Sequence, residues 1–349
     1  MTIDRYDVRP GYSISRILKG GWHLSAGHNT DVNRAKAIED MAAFVEAGIT
    51  SFDCADHYTG VEEMIGDFRK TYPELADKVQ IHTKYVPDYD ALPTLKRADT
   101  VAIIDRSLKR LGVDTLDVVQ FFWWNANVPG EIETAQVLAD LRREGKIRHI
   151  GVTNFSTPRL ARFVEAGVPI VMNQLQYSLV DDRPERLQLD FCRRNDIAVV
   201  TYGHLLGGFV SADWIGKAEP FDPFANRSQK KYKLIIEDFG GWELFQELLL
   251  ALRAIGQRLG VGPGEVALRW TLDRPGIAGC IVGATSTRNL ARNAKVFDIA
   301  LTDADRATLD AIRAKRQGPL GDCYALESDK TGRHGSIMRY NQNEMAARA

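Results

Sequence analysis

The chain has 349 residues, enough for one large domain or two ordinary ones, and its 44% apolar and 26% charged content describes a globular protein rather than a disordered or fibrous one. A net charge of −1 and a pI near 6.7 offer no basic face for nucleic acid or anionic lipid. The opening MTIDRYDVRP carries charges where a secretory leader needs an apolar centre, and no stretch reaches the roughly 20 apolar residues of a membrane span. The expectation is a cytoplasmic protein that meets neither membrane nor nucleic acid.

In chain order, short apolar runs alternate with amphipathic segments from residue 17 to about residue 296. The predicted strands are Ile17–Gly20, Thr50–Asp53, Val79–Thr83, Thr115–Phe122, Ile147–Val152, Ile170–Asn173, Ala198–Tyr202 and Gly279–Val282. Each is followed by a helical pattern: Asn33–Ala47, Glu62–Lys70, Thr100–Leu111, Ile132–Arg143, Thr157–Ala166, Pro184–Arg194, Trp242–Leu259 and Thr287–Lys295. Gly48, just after Val45 and Ala47, shows the punctuation, with an apolar face closing before a glycine stop.

Eight strand and helix repeats predict a closed (β/α)8 TIM barrel whose functional rim lies at the strand C-termini. A doubly wound sheet is the competitor, but it usually carries G-x-G-x-x-G after its first strand, where this chain has KGGWHLSAG. The chain then reads as a single domain over 1–349, with the barrel at about 17–297 and a C-terminal helix and tail at about 302–349. Ser211–Gly241, long and aromatic, follows the seventh strand, where a barrel places a lid. The tail after Gln317 holds tyrosines, Ile337 and Met338 suited to docking on the body; the expectation is that Gly321–Tyr340 closes a substrate pocket while leaving cofactor binding alone.

The four cysteines, Cys54, Cys192, Cys280 and Cys323, are far apart and read as reduced thiols; nothing has metal-ligand spacing. Cys54, beside Asp53, is expected to be a buried strand-end residue.

Asp53 and Tyr58 in SFDCADHY and Lys84 in IHTKY fall at or just beyond two successive strand ends, which share one rim in this fold. A tyrosine hydroxyl, with a pKa of roughly 10, is a poor acid near neutrality. A neighbouring ammonium stabilises its phenolate, and a carboxylate can hold that ammonium in place. The three residues therefore form a candidate proton relay.

FDCADHYTGVEEMIG resembles the F-D-T-A-x-x-Y-G-x-x-E stretch of the aldo-keto reductases, NAD(P)H-dependent (β/α)8 oxidoreductases, and the resemblance runs from GGW at Gly20 to RNAKVF near Phe297. It implies catalytic roles for Asp53, Tyr58 and Lys84. GVTNF resembles the family's G-V-S-N-F and implies Thr153 and Asn154, with Gln174, on the nicotinamide carboxamide; Tyr202 falls on the residue that stacks on the ring. The backbone of Leu205–Gly208 would approach the pyrophosphate, as Gly207 and Gly208 permit, and Gly203 is a further implied cofactor residue. Gly21, Trp22 and Asp53 border the same cofactor stretch, and in IVGATSTRNLARN Gly283, Thr285, Asn289, Arg292 and Asn293 fall on adenosine-phosphate positions. With Arg288 they imply NADPH, NADH remaining possible.

The fourth strand departs from the family's pattern, because LDVVQFFWW places Phe122 where relatives have a catalytic histidine, and Trp123 on their tryptophan. Phenylalanine cannot donate a hydrogen bond to a carbonyl oxygen. Altered chemistry or substrate is the expectation, with a simple filler as the alternative. His57, His23, His204 and His334 are the histidines near enough in the pattern to compensate, each with a structural or solvated role as the simpler reading.

The resulting expectation is an NADPH-dependent reductase of a small carbonyl compound with Tyr58 as proton donor. Trp22, Tyr58, Phe122 and Trp123, with Trp214 as a further candidate, would line an aromatic substrate pocket. The alternatives are a reductase of an imine or activated alkene, and a nucleotide-binding regulatory protein with little turnover. Substrate identity and oligomeric state stay open.

Overall fold

Alternating apolar runs of this length bury both faces of a strand, and β8, Ile170–Gln176, shows the result, every residue in it being buried. The computed structural model describes residues 2–26, 28 and 32–343. Its strands are β1 Arg5–Arg9, β2 Tyr12–Ser15, β3 Ile17–Gly20, β4 Ser51–Asp53, β5 Gln80–Tyr85, β6 Leu116–Phe121, β7 Ile147–Thr153, β8, β9 Ala198–Tyr202 and β10 Ile277–Gly283. Strands β3 to β10 close a parallel barrel in sequence order, β10 pairing back to β3. Helices ring it: Arg34–Glu46, for example, starts where the Asn33 side chain accepts the Lys36 amide at 3.0 Å.

The expected (β/α)8 architecture is therefore present as one domain, with local differences. Strand β5 runs two residues beyond its expected end, so Lys84 lies within the ladder, paired opposite Gln120. The predicted helix Pro184–Arg194 is broken at Leu187, whose φ of −141° and ψ of −36° leave the helical region, into Arg183–Arg186 and Gln188–Arg194. The lid region contains a helix, Arg227–Phe239, whose Ser228, Tyr232, Ile235, Ile236 and Phe239 face inward. A further helix, Pro263–Leu272, precedes β10.

The β1–β2 hairpin was not expected. It turns at Gly11, with φ +77°, and seals the N-terminal end of the barrel: Val8, Tyr12 and Ile14 pack against Leu18, Val118, Met172 and Val200 from inside it. A much larger apolar layer separates barrel from helices. The opposite end, at the strand C-termini, is covered by the loop after β9 and by the chain beyond residue 320, which crosses the mouth as a strap. Among the described residues no helix is long and apolar enough to cross a membrane.

Candidate active site

Strand register sets the centre of the site. Asp53 ends β4 opposite His82, and Lys84 follows two residues later on the same side of β5. The Lys84 ammonium donates to Asp53 Oδ1 at 2.7 Å and to the Cys54 carbonyl at 2.9 Å, both side chains being almost wholly buried. Gln174 Nε2 donates to the same Asp53 oxygen at 2.6 Å. Burial alone would favour a neutral lysine, but the charge of Asp53 and the hydroxyl of Tyr58 outweigh it and hold the Lys84 pKa above its ordinary value. Lys84 Nζ lies 5.0 Å from the Tyr58 ring centre. Burial lifts the Tyr58 pKa to about 12, and the Lys84 charge opposes that rise. The phenol is thus protonated in the resting site, beside the cation that would receive its charge on ionisation. Cys54 is fully buried, and burial pushes its thiol well up, so it is inert.

These residues open onto a cavity of about 760 Å³. Of the residues expected to bind the cofactor, Trp22, Asp53, Thr153, Asn154, Gln174, Tyr202, Gly203, Leu205, Gly207, Gly208, Gly283, Thr285 and Asn289 line it. Tyr202 donates its hydroxyl to Asn154 Oδ1 at 2.6 Å, and Asn154 itself is held at φ +59° by its amide on the Gln174 carbonyl. Gly207 and Gly208 have φ of +63° and +97°, and a Cβ on Gly208 would meet nothing within 4 Å, so this backbone presents itself bare to the cavity. A cavity with an amide wall, a tyrosine face, a glycine cradle and the basic side chains of Lys231 and Arg288 fits a nicotinamide dinucleotide.

Three expected cofactor residues lie elsewhere. Gly21 is not on the wall: its amide donates to the Asp53 carbonyl at 2.8 Å, and a Cβ would meet that oxygen at 2.7 Å, so its smallness lets two strand ends touch. Arg292 is held by Glu265 in a two-pronged pair of 2.7 and 3.1 Å, and Asn293 is buried beside it.

The aromatic wall also differs from expectation. Trp123 is fully buried, packs on Phe121 and donates to the Val128 carbonyl at 3.1 Å; it does not line the cavity. Side chains alternate at the strand end, so Phe122 and Trp124 face inward instead, with ring centres 4.9 Å apart. Trp214 packs on Phe209 and Trp242, away from the cavity. Tyr324, from the strap, packs edge-on against Phe122 at 5.5 Å.

The strap is anchored by charge. Arg183, fully buried, bonds Glu327 at 2.9 and 3.1 Å and Asp181 at 2.7 and 2.9 Å. Burial alone would raise the Glu327 carboxyl, but Arg183 holds it at about 2. Farther along, Asn343 Nδ2 donates to Asp56 Oδ2 at 3.0 Å, and Ile337, Met338, Arg339 and Gln342 line the cavity. Of the candidate histidines, His23, His57 and His204 line the cavity, and His334 does not; it pairs with Asp238 at 2.7 Å. Burial lowers His204 to about 3, which keeps it neutral. Sequence reasoning missed Trp124, Lys231 and Tyr324 as wall residues; alternation from Phe122 signals the first, while nothing local signals the others.

Comparison with known proteins agrees with this geometry. Residues 16–314 match the model of the Aldo/keto reductase family, and the chain belongs to that family. It is 29% identical over 312 residues to Aldo-keto reductase YhdN of Bacillus subtilis (strain 168), covering 86% of this chain and 91% of that protein. It is 27% identical over 318 residues to the NADH-specific methylglyoxal reductase of Escherichia coli (strain K12), covering 85% and 94%. Among solved structures it is similar to the thermostable aldo-keto reductase Tm1743 in complex with the inhibitor epalrestat, with a TM-score of 0.71, 25% identity, and coverage of 89% and 100%. The protein is thus an NAD(P)H-dependent oxidoreductase of the class that acts on carbonyl compounds.

Proposed function

We propose that this enzyme reduces a small carbonyl substrate with NADPH, Tyr58 supplying the proton. The observation that carries the reading is the buried Lys84–Asp53 pair, 2.7 Å apart, with its ammonium beneath the Tyr58 ring at the cavity floor. A nicotinamide held by Asn154, Gln174 and Tyr202 would supply the hydride for the carbonyl carbon. As the C=O electron pair moves onto oxygen, Tyr58 transfers its proton there and is left as a phenolate beside Lys84. Gln174 fixes Asp53, the lysine's carboxylate partner, in place, so the positive charge stands ready before the phenolate forms. NADPH would be preferred over NADH through Arg288, which lines the cavity beside Thr285 and Asn289 and is the cation that would receive the 2′-phosphate. Arg292 adds nothing to that preference while Glu265 holds it. A tenfold to hundredfold preference corresponds to about 1.5–3 kcal/mol.

A second reading, an iminium or activated-alkene substrate, is favoured by Phe122, which lines the wall without a hydrogen to donate. One assay tests both. Absorbance loss is followed with NADPH and NADH over a panel of carbonyl and imine compounds, using wild type and Tyr58→Phe. Turnover on a carbonyl, faster or tighter with NADPH, and reduced by about a hundredfold or more in the variant, is the expected result. Full activity in Tyr58→Phe, or equal use of NADH, breaks the corresponding part.

A further inference from the structure

The strap contributes a side chain to the reacting centre as well as covering it. Tyr324 is only 8% exposed and lines the cavity, its ring edge-on to Phe122 with centres 5.5 Å apart. Among the described residues no hydrogen bond from its hydroxyl is seen, and that oxygen is not sealed off from the cavity. It lies within electrostatic reach of Tyr58 and of Tyr202, so the proton-donor side, the nicotinamide-stacking face and Phe122 surround it. A hydroxyl that opens on a cavity and has no protein partner is free to take one from a ligand.

The backbone is committed to this placement. Tyr324 has φ +62°, a left-handed conformation that an aromatic residue rarely adopts, and it caps the short helix Ala325–Ser328. That helix carries Glu327 into the Arg183 pair, so the anchor that fixes the strap also fixes Tyr324. The neighbouring donors are spoken for: the Trp124 indole donates to the Pro87 carbonyl at 2.9 Å, and the Tyr202 hydroxyl to Asn154.

Resting on the carbonyl reading above, we infer that Tyr324 is a catalytic residue: its hydroxyl donates a hydrogen bond to the reacting carbonyl oxygen, the role for which Phe122 has no hydrogen, while Phe122 supplies the flat surface that positions the Tyr324 ring. The redox balance of the reduction is unchanged. Hydride goes to carbon, the Tyr58 proton goes to oxygen, and Tyr324 keeps its own proton throughout. Burial pushes the Tyr324 pKa well above its ordinary value, so the hydroxyl remains a donor across the working range.

The test uses the full chain with NADPH and its best carbonyl substrate. Tyr324→Phe keeps the ring and its packing on Phe122 and removes only the donor. The expected result is a fall in kcat of about a hundredfold, with KM, NADPH fluorescence titration and Tm nearly unchanged. The double variant Tyr324→Phe with Phe122→His returns a donor from the strand side and is expected to regain at least about a tenfold part of the loss. A Tyr324→Phe enzyme with kcat within about twofold of wild type, in a protein that Tyr58→Phe inactivates, overturns the inference and leaves the Tyr58 reading standing. Equal loss in the single and double variants with a lowered Tm overturns it too, since that is the signature of a packing role. If Tyr58→Phe keeps full turnover, the reading beneath fails first.

Discussion

The base and the mouth of the barrel are built from the same strands, and β5 shows how differently they treat a basic side chain. His82 and Lys84 are two residues apart and face the same way. At the base, His82 meets the Tyr12 hydroxyl at 3.0 Å and no carboxylate. Burial, helped by the charge of Lys84, lowers its pKa to about 3, and it is neutral. At the mouth, Lys84 is just as enclosed but has Asp53 at 2.7 Å, and it is charged. Burial depth is nearly equal, so the counter-ion decides. The closed end keeps this histidine neutral, whereas the reactive end holds a charged lysine against its carboxylate.

Removing the counter-ion logic at the mouth should have the largest effect. Lys84→Met leaves Asp53 a buried carboxylate with only amide donors. It is expected to cost about 3–5 kcal/mol of stability and to cut kcat about a thousandfold. Adding Asp53→Asn should recover most of the stability and none of the rate. Urea unfolding with kcat measurements reads both, and a Lys84→Met enzyme with full turnover breaks the comparison.

The base offers the next test. The His82 pKa falls from an unfolded value near 6.5 to about 3 on folding. Between those values the unfolded chain binds the extra proton. The neutral histidine's contribution is therefore complete above pH ~6.5 and is lost as pH falls toward 3. Each unit is worth about 1.4 kcal/mol. Between pH 6.5 and 4.5, wild type should lose roughly 2–3 kcal/mol more than His82→Gln in urea unfolding. Equal losses mean that His82 is not the neutral group at the base.

The smallest effect concerns what closes each end. The base is closed by a hairpin adjacent in sequence, the mouth by a strap whose Glu327 reaches Arg183 across 144 residues. Glu327→Gln weakens that anchor while keeping a hydrogen bond. It should raise substrate KM about tenfold, roughly 1.4 kcal/mol, with NADPH affinity unchanged. A change in NADPH affinity of the same size places the strap over the cofactor instead.

The strands and the Asp53–Lys84 pair were legible because both rest on local pattern. Asp53 and Lys84 stand at the ends of apolar runs, and strand register brings those ends together without further information. The glycines after Tyr202 are legible for the same reason. Phe122 and Trp124, rather than Trp123, follow from the two-residue period once the strand end is fixed at Phe121. The hairpin had a signal as well, since Tyr6, Val8, Tyr12 and Ile14 alternate around Pro10–Gly11, though its two strands are only five and four residues long. Arg292 was opaque: its partner Glu265 is 27 residues earlier on another helix, and only the fold brings them together. Tyr324 was legible as a docking aromatic but not as a wall residue, because its position depends on a buried arginine far upstream.

That arginine gives the site a modular character. Arg183, braced by Asp181, behaves as a socket in the barrel, and the segment around Glu327 behaves as its plug. A plug of similar shape carrying another residue in place of Tyr324 would present a different surface to the substrate, with Asp53, Tyr58 and Lys84 untouched. Specificity in this enzyme is thus open to change by exchange of one short segment, the barrel keeping the Tyr58 relay while the plug decides which group meets the carbonyl oxygen.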